Sequence, residues 1–246
     1  MKIRYGSICN IGAIRKINQD TVLCKQYGDK SIFMVADGMG GHSYGERASE
    51  TVRKELEEWW NNLLRQELQE GFSEIVFSLK QKVELINRHI YEKYNQNAVC
   101  GTTMVLLFCM GERYALMSVG DSRAYYGRYF QFRQLTIDDV WENQAEVLSE
   151  PKESRNLTEH MGKLTAAVGI RENLDIHIQT SLIRKKDSFM LCSDGVYKMC
   201  SDRKLRRLLM RFRMGANQKI VLDEMAQTIY NNGAKDNFTA IIVHIS

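Results

Sequence analysis

The chain has 246 residues, 44% of them hydrophobic, and its 34 basic and 30 acidic residues give a formal net charge of +4. This length supports one large domain, and because no linker-like stretch divides the sequence, we predict a single domain over residues 1–246. The small, dispersed net charge argues against a nucleic-acid partner.

The N-terminal segment and the cysteines indicate where the protein acts. The N-terminal segment has no continuous apolar core of a signal peptide, and the longest apolar run, residues 104–110, is too short to cross a bilayer. We therefore predict a cytoplasmic protein without a membrane partner. The six cysteines form no CxxC pair and lie mostly in apolar stretches, which predicts buried free thiols rather than zinc ligands or disulfides.

The first half of the chain changes from helical to strand-like patterning. An apolar, strand-like stretch ends at Asp37 and leads into a glycine-rich loop. Hydrophobic residues at helical spacing then predict amphipathic helices over 44–65 and 72–94. From Cys100 the sequence turns to short runs rich in β-branched and aromatic residues, separated by brief turns. Such turns indicate antiparallel pairing, because parallel strands need long crossover connections.

The second half adds a polar segment, further strands and two helices. Residues 138–163 are polar and contain the single proline, Pro151, which predicts a flexible, flap-like excursion from the sheet with a helical turn. The other predicted elements are strands at 175–183, 187–195 and 238–245 and helices at 202–212 and 217–231. Antiparallel strands with paired helices predict an α+β fold in which two packed sheets are covered outside by helices.

Four aspartates stand at ends of the predicted strands: Asp37, Asp121, Asp194 and Asp236. Acids at strand ends can converge on one rim of a sheet sandwich, where they repel one another unless cations neutralise them. Asp-Gly is common in hairpin turns, but after Asp37 and Asp194 the chain continues as a helix instead of a second strand. Carboxylates suit Mg²⁺ or Mn²⁺, so we predict a metal centre with Asp37 as the bridging ligand.

A dinucleotide or phosphate cradle is the alternative for the glycine-rich loop after Asp37. The pattern GxGxxG would end at Ser43 instead of glycine, and a carboxylate immediately before the first glycine would repel a pyrophosphate. The metal site is therefore the better interpretation of this loop.

Seven segments occur in an order and at a spacing that resemble those of bacterial members of the metal-dependent Ser/Thr protein phosphatases, the PPM or type 2C family. They are residues 12–20, 35–46, 100–107, 118–127, 164–169, 191–198 and 234–243. The resemblance implies a four-layer α/β/β/α sandwich with two mainly antiparallel sheets flanked by helix pairs. It also implies hydrolysis of phosphoserine and phosphothreonine in proteins by a metal-activated water at a binuclear Mg²⁺ or Mn²⁺ centre. A weaker third ion, an opposing Ser/Thr kinase, a role in signalling and a monomeric state are further expectations.

The same resemblance implies roles for individual residues. The expected metal ligands are Asp37, the Gly38 carbonyl, Asp194 and Asp236, with Asp20 in the outer shell and Asp121 at the third-ion site. Arg15 is expected to bind the substrate phosphate, for which the planar guanidinium is well suited.

The sequence also departs from the family pattern. Gln19 stands where many members have a glutamate that binds the second metal, so we expect weaker or water-mediated binding there. Asp139 replaces the histidine of the usual T-x-D-H-S segment, and Ala166 replaces a frequent arginine, so substrate preference transfers least well. His42 is a candidate general acid, and a purely structural loop histidine fits it equally.

Two other functions remain open from the sequence: a non-catalytic phosphoprotein-binding module and a metal-dependent phosphatase of small molecules. Retention of the principal aspartates disfavours the first of these. The basic run at 204–213 is interpreted as the solvated face of a helix, with docking of an acidic partner as the alternative.

Overall fold

The computed structural model describes residues 2–40, 44–65, 71–95, 99–144, 147–148 and 160–246. The candidate acid His42 and much of the predicted flap-like segment lie outside the described residues. Within the described residues, no helix combines the length and the hydropathy that a membrane crossing requires.

Two antiparallel sheets form the centre of the fold. One sheet has the order β1 (Ile3–Asn10), β11 (Phe238–Ile245), β10 (Ser188–Cys192), β7 (Arg123–Arg128), β8 (Gln131–Gln134). The other has the order β2 (Asp20–Tyr27), β3 (Lys30–Gly40), β5 (Met104–Met110), β6 (Arg113–Val119), β9 (His177–Leu182), and the short β4 (Cys100–Thr102) pairs with the end of β3. Side chains between the sheets, including Phe33, Leu107 and Phe189, are fully buried.

Helix pairs cover the outer faces of both sheets. The helices are α1 (Tyr44–Arg65), α2 (Phe72–Tyr94), the short α3 (Asp194–Tyr197), α4 (Asp202–Arg213) and α5 (Gln218–Asn231). Helices α1 and α2 bury their apolar faces on the β2–β3–β5–β6–β9 sheet, and α4 and α5 bury theirs on the other sheet. The predicted four-layer α/β/β/α sandwich is therefore confirmed.

Some predicted details differ from the structure. The expectation that the strand ends at Asp37 was wrong, because β3 continues to Gly40 and its last residues pair with β4. Strands β1 and β2 were not predicted from the sequence. Within the predicted flap-like segment, a 3₁₀ turn is described at Trp141–Asn143, and residues 147–148 are helical.

The cysteines and the basic run mostly follow the predictions. All six cysteines are free, and Cys100, Cys109, Cys192 and Cys200 are buried, whereas Cys9 is exposed. Three cations of the basic run converge on one acid of α5, Glu224: they are Lys204, Arg207 and Arg211. Arg207 and Arg211 are solvated, as a helix face exposed to solvent predicts, whereas Lys204 is mostly covered.

Both Asp-Gly pairs mark close contacts between backbone segments. A Cβ atom on Gly38 would lie 2.1 Å from the carbonyl oxygen of Gly45 at the start of α1, and one on Gly195 would lie 2.0 Å from that of Asn237. Any side chain at these positions would collide with main chain. Glycine therefore allows the segments that carry Asp37 and Asp194 to pack against their neighbours.

We predict that Gly195→Ala lowers the free energy of unfolding by about 1–3 kcal/mol, because the new methyl group would overpack against backbone. Urea denaturation would measure this loss. In the control variant Gly71→Ala the methyl group would meet only the movable carboxylate of Glu74, so a smaller loss is expected. Equal stabilities of the two variants would contradict the packing argument.

Candidate metal centre

Asp20 and Asp37 lie directly opposite each other on β2 and β3. Asp20 is only 6% exposed, and the Ser193 hydroxyl donates a 2.7 Å hydrogen bond to its Oδ2. The other oxygen, Oδ1, is buried and has no hydrogen-bond partner. Burial raises the pKa of Asp20 to about 6, because the charged form is poorly solvated there.

Two threonines hold the backbone of Asp37 in place. Thr102 is the last residue of β4, and Thr103 follows it. The Asp37 amide donates to Oγ1 of Thr103 at 3.0 Å, and the Asp37 carbonyl accepts bonds from the Thr102 hydroxyl and the Thr103 amide. The side chain is half-buried. Burial raises the pKa of Asp37 well above its usual range, and four neighbouring carboxylates raise it further: Asp20, Asp194, Asp121 and Asp236. The aspartates predicted at separate strand ends are therefore close enough to Asp37 to interact with it electrostatically.

Asp121 lies in the turn after β6 and is also buried. Its Oδ2 accepts a 3.2 Å hydrogen bond from the Tyr197 hydroxyl, and the guanidinium of Arg123 lies 3.7 Å from the centre of the Tyr197 ring. Asp138, the first residue of the flap-like segment, in turn accepts hydrogen bonds from Arg123. Burial first, and then the charge of Asp194, raises the pKa of Asp121 to about 6.

Two cationic side chains enter the carboxylate cluster. Arg15 donates from Nε and Nη2 to the two carboxylate oxygens of Asp236, each at 2.8 Å. Lys198 donates from Nζ to Oδ2 of Asp194. Hydrogen bonding to Asp236 raises the pKa of Arg15. Burial by itself would lower the pKa of Lys198, but the hydrogen bond to Asp194 and the charges of the nearby acids raise it overall.

Sequence reasoning gave no role to Lys198 or Ser193. A local signal existed for the lysine, because Lys198 stands four residues after Asp194 and such pairs face each other on a helical turn. No comparable signal existed for Ser193, whose bond to Asp20 joins residues 173 positions apart.

The other predicted site residues lie around this cluster. The Gly38 amide donates to the carbonyl of Gln19 at 3.0 Å, which joins β3 to the segment before β2. Nε2 of Gln19 would lie 2.6 Å from a Cβ atom on Gly45, so the Gln19 side chain reaches the start of α1. His42 lies outside the described residues.

The donor chemistry fits a hard divalent cation. Within the described residues, no three Asp, Glu, His or Cys side chains form a group ready to hold an ion. However, none of the ion pairs among the described residues includes Asp20, Asp37 or Asp121. Charged carboxylates that are buried close together are unfavourable unless they are paired with cations. Carboxylate oxygens are the preferred protein ligands of Mg²⁺ and Mn²⁺. The oxygen donors of the cluster are therefore of the kind that suits divalent cations.

Comparisons with known proteins identify the family. The model of a family described as Protein phosphatase 2C matches residues 15–234. The Serine/threonine phosphatase stp of Listeria monocytogenes is 27% identical over 241 residues, which cover 94% of this chain and 92% of that protein.

Solved structures give the same result for the fold. The structure of PppA, described as a key regulatory component of T6SS in Pseudomonas aeruginosa, has a TM-score of 0.81 and 27% identity, and the match covers 99% of this chain and 98% of that one. The serine/threonine phosphatase Stp1 of Staphylococcus aureus has a TM-score of 0.85 at 24% identity, with coverage of 100% and 96%. The second likeness concerns the fold alone.

We predict that the unfolding free energy falls as pH rises when divalent cations are removed with EDTA. The folded-state pKa values of Asp20 and Asp121, about 6, exceed the ordinary value of 3.8, so the folded state binds more protons across that window. The raised pKa of Asp37 extends the window upward. Urea unfolding at about pH 5.5 and about pH 8 should differ by on the order of 2 kcal/mol.

The variant Asp37→Asn should be more stable than wild type at the higher pH and should show a flatter pH dependence. Asp223→Asn, an exposed substitution on α5, is the matched control and should follow wild type. Parallel pH curves for wild type and Asp37→Asn would contradict the raised pKa of Asp37.

We predict that Lys198→Met tightens Mn²⁺ binding about tenfold, because a positive charge that competes for Asp194 is removed. Isothermal titration calorimetry would measure the dissociation constant. Lys219→Met, on the exposed surface of α5, serves as the control. Unchanged affinity in Lys198→Met would mean that the lysine does not compete for the site.

Proposed function

This chain belongs to the protein phosphatase 2C family, and we propose that it hydrolyses phosphoserine and phosphothreonine in proteins with two Mg²⁺ or Mn²⁺ ions. It is a protein serine/threonine phosphatase. The observation that supports the metal-dependent mechanism best is the convergence of five carboxylates beside one arginine at one end of the sandwich.

We assign the ions to Asp37, the Gly38 carbonyl, Asp194 and Asp236, with Asp20 in the outer shell. Bound divalent cations would supply Lewis acidity, which activates a water for attack at phosphorus and offsets negative charge on the transferring group. Asp121 and Asp194 are the residues proposed for a weaker third ion. The Tyr197 hydroxyl and the Lys198 ammonium already bond to these two acids, so the third site would compete with both side chains.

Arg15 is proposed to bind the substrate phosphate. Its guanidinium is about half exposed, and its paired donors now bind Asp236. When Asp236 serves as a metal ligand, the same two donors become available for two phosphate oxygens, which have a similar geometry. Metal binding and phosphate binding would therefore be coupled through the change of partner at Arg15.

Several finer expectations remain predictions. They concern the opposing Ser/Thr kinase, the role in signalling, the cytoplasmic location, the monomeric state and the single domain over residues 1–246. His42 likewise remains a candidate general acid. Gln19 would weaken the second metal site, because an amide oxygen carries less negative charge than a carboxylate.

We predict that a phosphothreonine peptide is hydrolysed in the presence of Mn²⁺ and that EDTA abolishes turnover. Asp37→Asn and Asp194→Asn should each lower kcat/KM at least about a hundredfold, because each removes a ligand of the activating ions. Phosphate release measured at equal protein concentration would test this. Asp223→Asn should behave like wild type.

Turnover that persists in EDTA, or in a protein carrying both Asp37→Asn and Asp194→Asn, would exclude the metal-dependent mechanism. Parallel assays with phosphorylated small metabolites would test the substrate class. A preference for metabolites over phosphopeptides would contradict the proposed protein substrate.

A further inference from the structure

The end of the sandwich opposite the carboxylates has a distinct surface. Asp121 precedes β7 and Asp194 follows β10, so the other ends of these antiparallel strands point away from the cluster. The turn between β7 and β8, the turn before β10 and the C-terminal end of α4 meet there. We call this surface the basic apolar tip and define it as Tyr129, Phe130, Lys185, Lys186, Arg213 and Met214.

Large apolar side chains protrude from the tip. Phe130 is 82% exposed, Met214 is 79% exposed and Tyr129 is 50% exposed. A depression of about 490 Å³ connects the elements, and Tyr129, Met214 and the three cations of the tip line part of it. Exposed apolar side chains of the β7–β8 turn and of the end of α4 therefore share one surface with the lysines of the turn before β10.

The cations of the tip are not neutralised by nearby acids. None of the ion pairs among the described residues includes Lys185, Lys186 or Arg213. The adjacent acid Asp187 is buried and accepts a 2.7 Å hydrogen bond from the Tyr126 hydroxyl. The tip therefore carries a net positive charge.

Folding does not explain the two aromatic residues of the turn. Tyr129 is the first of the two residues between β7 and β8 and has a φ of 50°, a conformation that glycine or asparagine adopts at lower cost. Its ring is flanked by Nζ of Lys186 at 5.5 Å and by the Arg128 guanidinium at 5.4 Å. Phe130 projects into solvent and adds almost nothing to the core.

We propose that the basic apolar tip binds the surface of an anionic lipid bilayer. Phe130 and Met214 would enter the headgroup region, while Lys185, Lys186 and Arg213 would lie close to lipid phosphates. This differs from the prediction that the protein has no membrane partner, which rested on the absence of a spanning segment. Adsorption to a surface needs no such segment, and the carboxylate cluster at the other end would face away from the bilayer.

The apolar side chains favour a bilayer over a nucleic acid. A nucleic-acid backbone would engage the cations through its phosphates but offers no apolar layer for protruding Phe130 and Met214. A bilayer surface presents anionic headgroups directly above hydrocarbon, which matches cations placed around apolar side chains.

Co-sedimentation with vesicles tests the proposal. The protein should bind mixed phosphatidylglycerol–phosphatidylcholine vesicles, and binding should weaken with added salt and be far weaker on pure phosphatidylcholine. The double variant Lys185→Glu, Lys186→Glu should lose at least about 25-fold in affinity, since each cation near an anionic surface contributes about fivefold. Phe130→Ser should lose about tenfold, because an apolar ring no longer enters the interface.

Matched controls come from α2, on the opposite outer layer. Phe77→Ser removes another exposed phenyl ring, and the double variant Arg88→Glu, Lys93→Glu makes the same change in net charge. Both should bind vesicles like wild type. Peptide phosphatase activity in solution, unchanged in all these variants, would show that they are folded and separates this test from that of the proposed function.

Three results would overturn the proposal. These are absence of binding to anionic vesicles, equal binding to neutral and anionic vesicles, and binding that Phe130→Ser leaves unchanged. Binding of duplex DNA that depends on Lys185 and Lys186, without vesicle binding, would instead assign the tip to a nucleic acid.

Discussion

Repulsion among carboxylates at one end of the sandwich is the constraint on which the site depends. Five aspartates from separate elements act on one another there, and Asp37 lies among them with a raised pKa. Their shared charge disfavours the folded state unless cations are close by. The folded cluster is therefore stabilised by nearby positive charge, and divalent ions could supply that charge.

Two cationic side chains of the protein supply part of this positive charge. Arg15 binds Asp236, and Lys198 binds Asp194. Each cation stabilises the cluster and also occupies a carboxylate that a metal ion would use. Affinity for metal ions would thus depend on the number of acids and on how easily the two cations give up their partners. For Arg15 the alternative partner would be the phosphate of the substrate, which links binding of the two ligands.

The antiparallel strands connect this site with the opposite end of the molecule. Strands β7, β10 and β11 each have one end near the carboxylates and the other near unpaired cations and exposed apolar side chains. The rigid sheet keeps the two surfaces apart, so a contact at the tip would leave the carboxylate cluster accessible.

The sequence by itself determined the layers of the fold and the identity of most candidate site residues. Helices α1, α2, α4 and α5 could be predicted because their buried faces repeat at helical spacing. Strands β1 and β2 escaped prediction because both lie at sheet edges, where half-exposed positions dilute the apolar pattern.

Each aspartate at a strand end could be identified from the sequence, because it stands directly beside an apolar run. Their partners were decided only by the tertiary structure. The bond between Arg15 and Asp236 joins residues 221 positions apart, and separation along a chain does not fix distance in space. The pair of Lys198 and Asp194 is local, yet only the tertiary structure, in which α3 packs against β11, brings it close to Asp121 and Asp37.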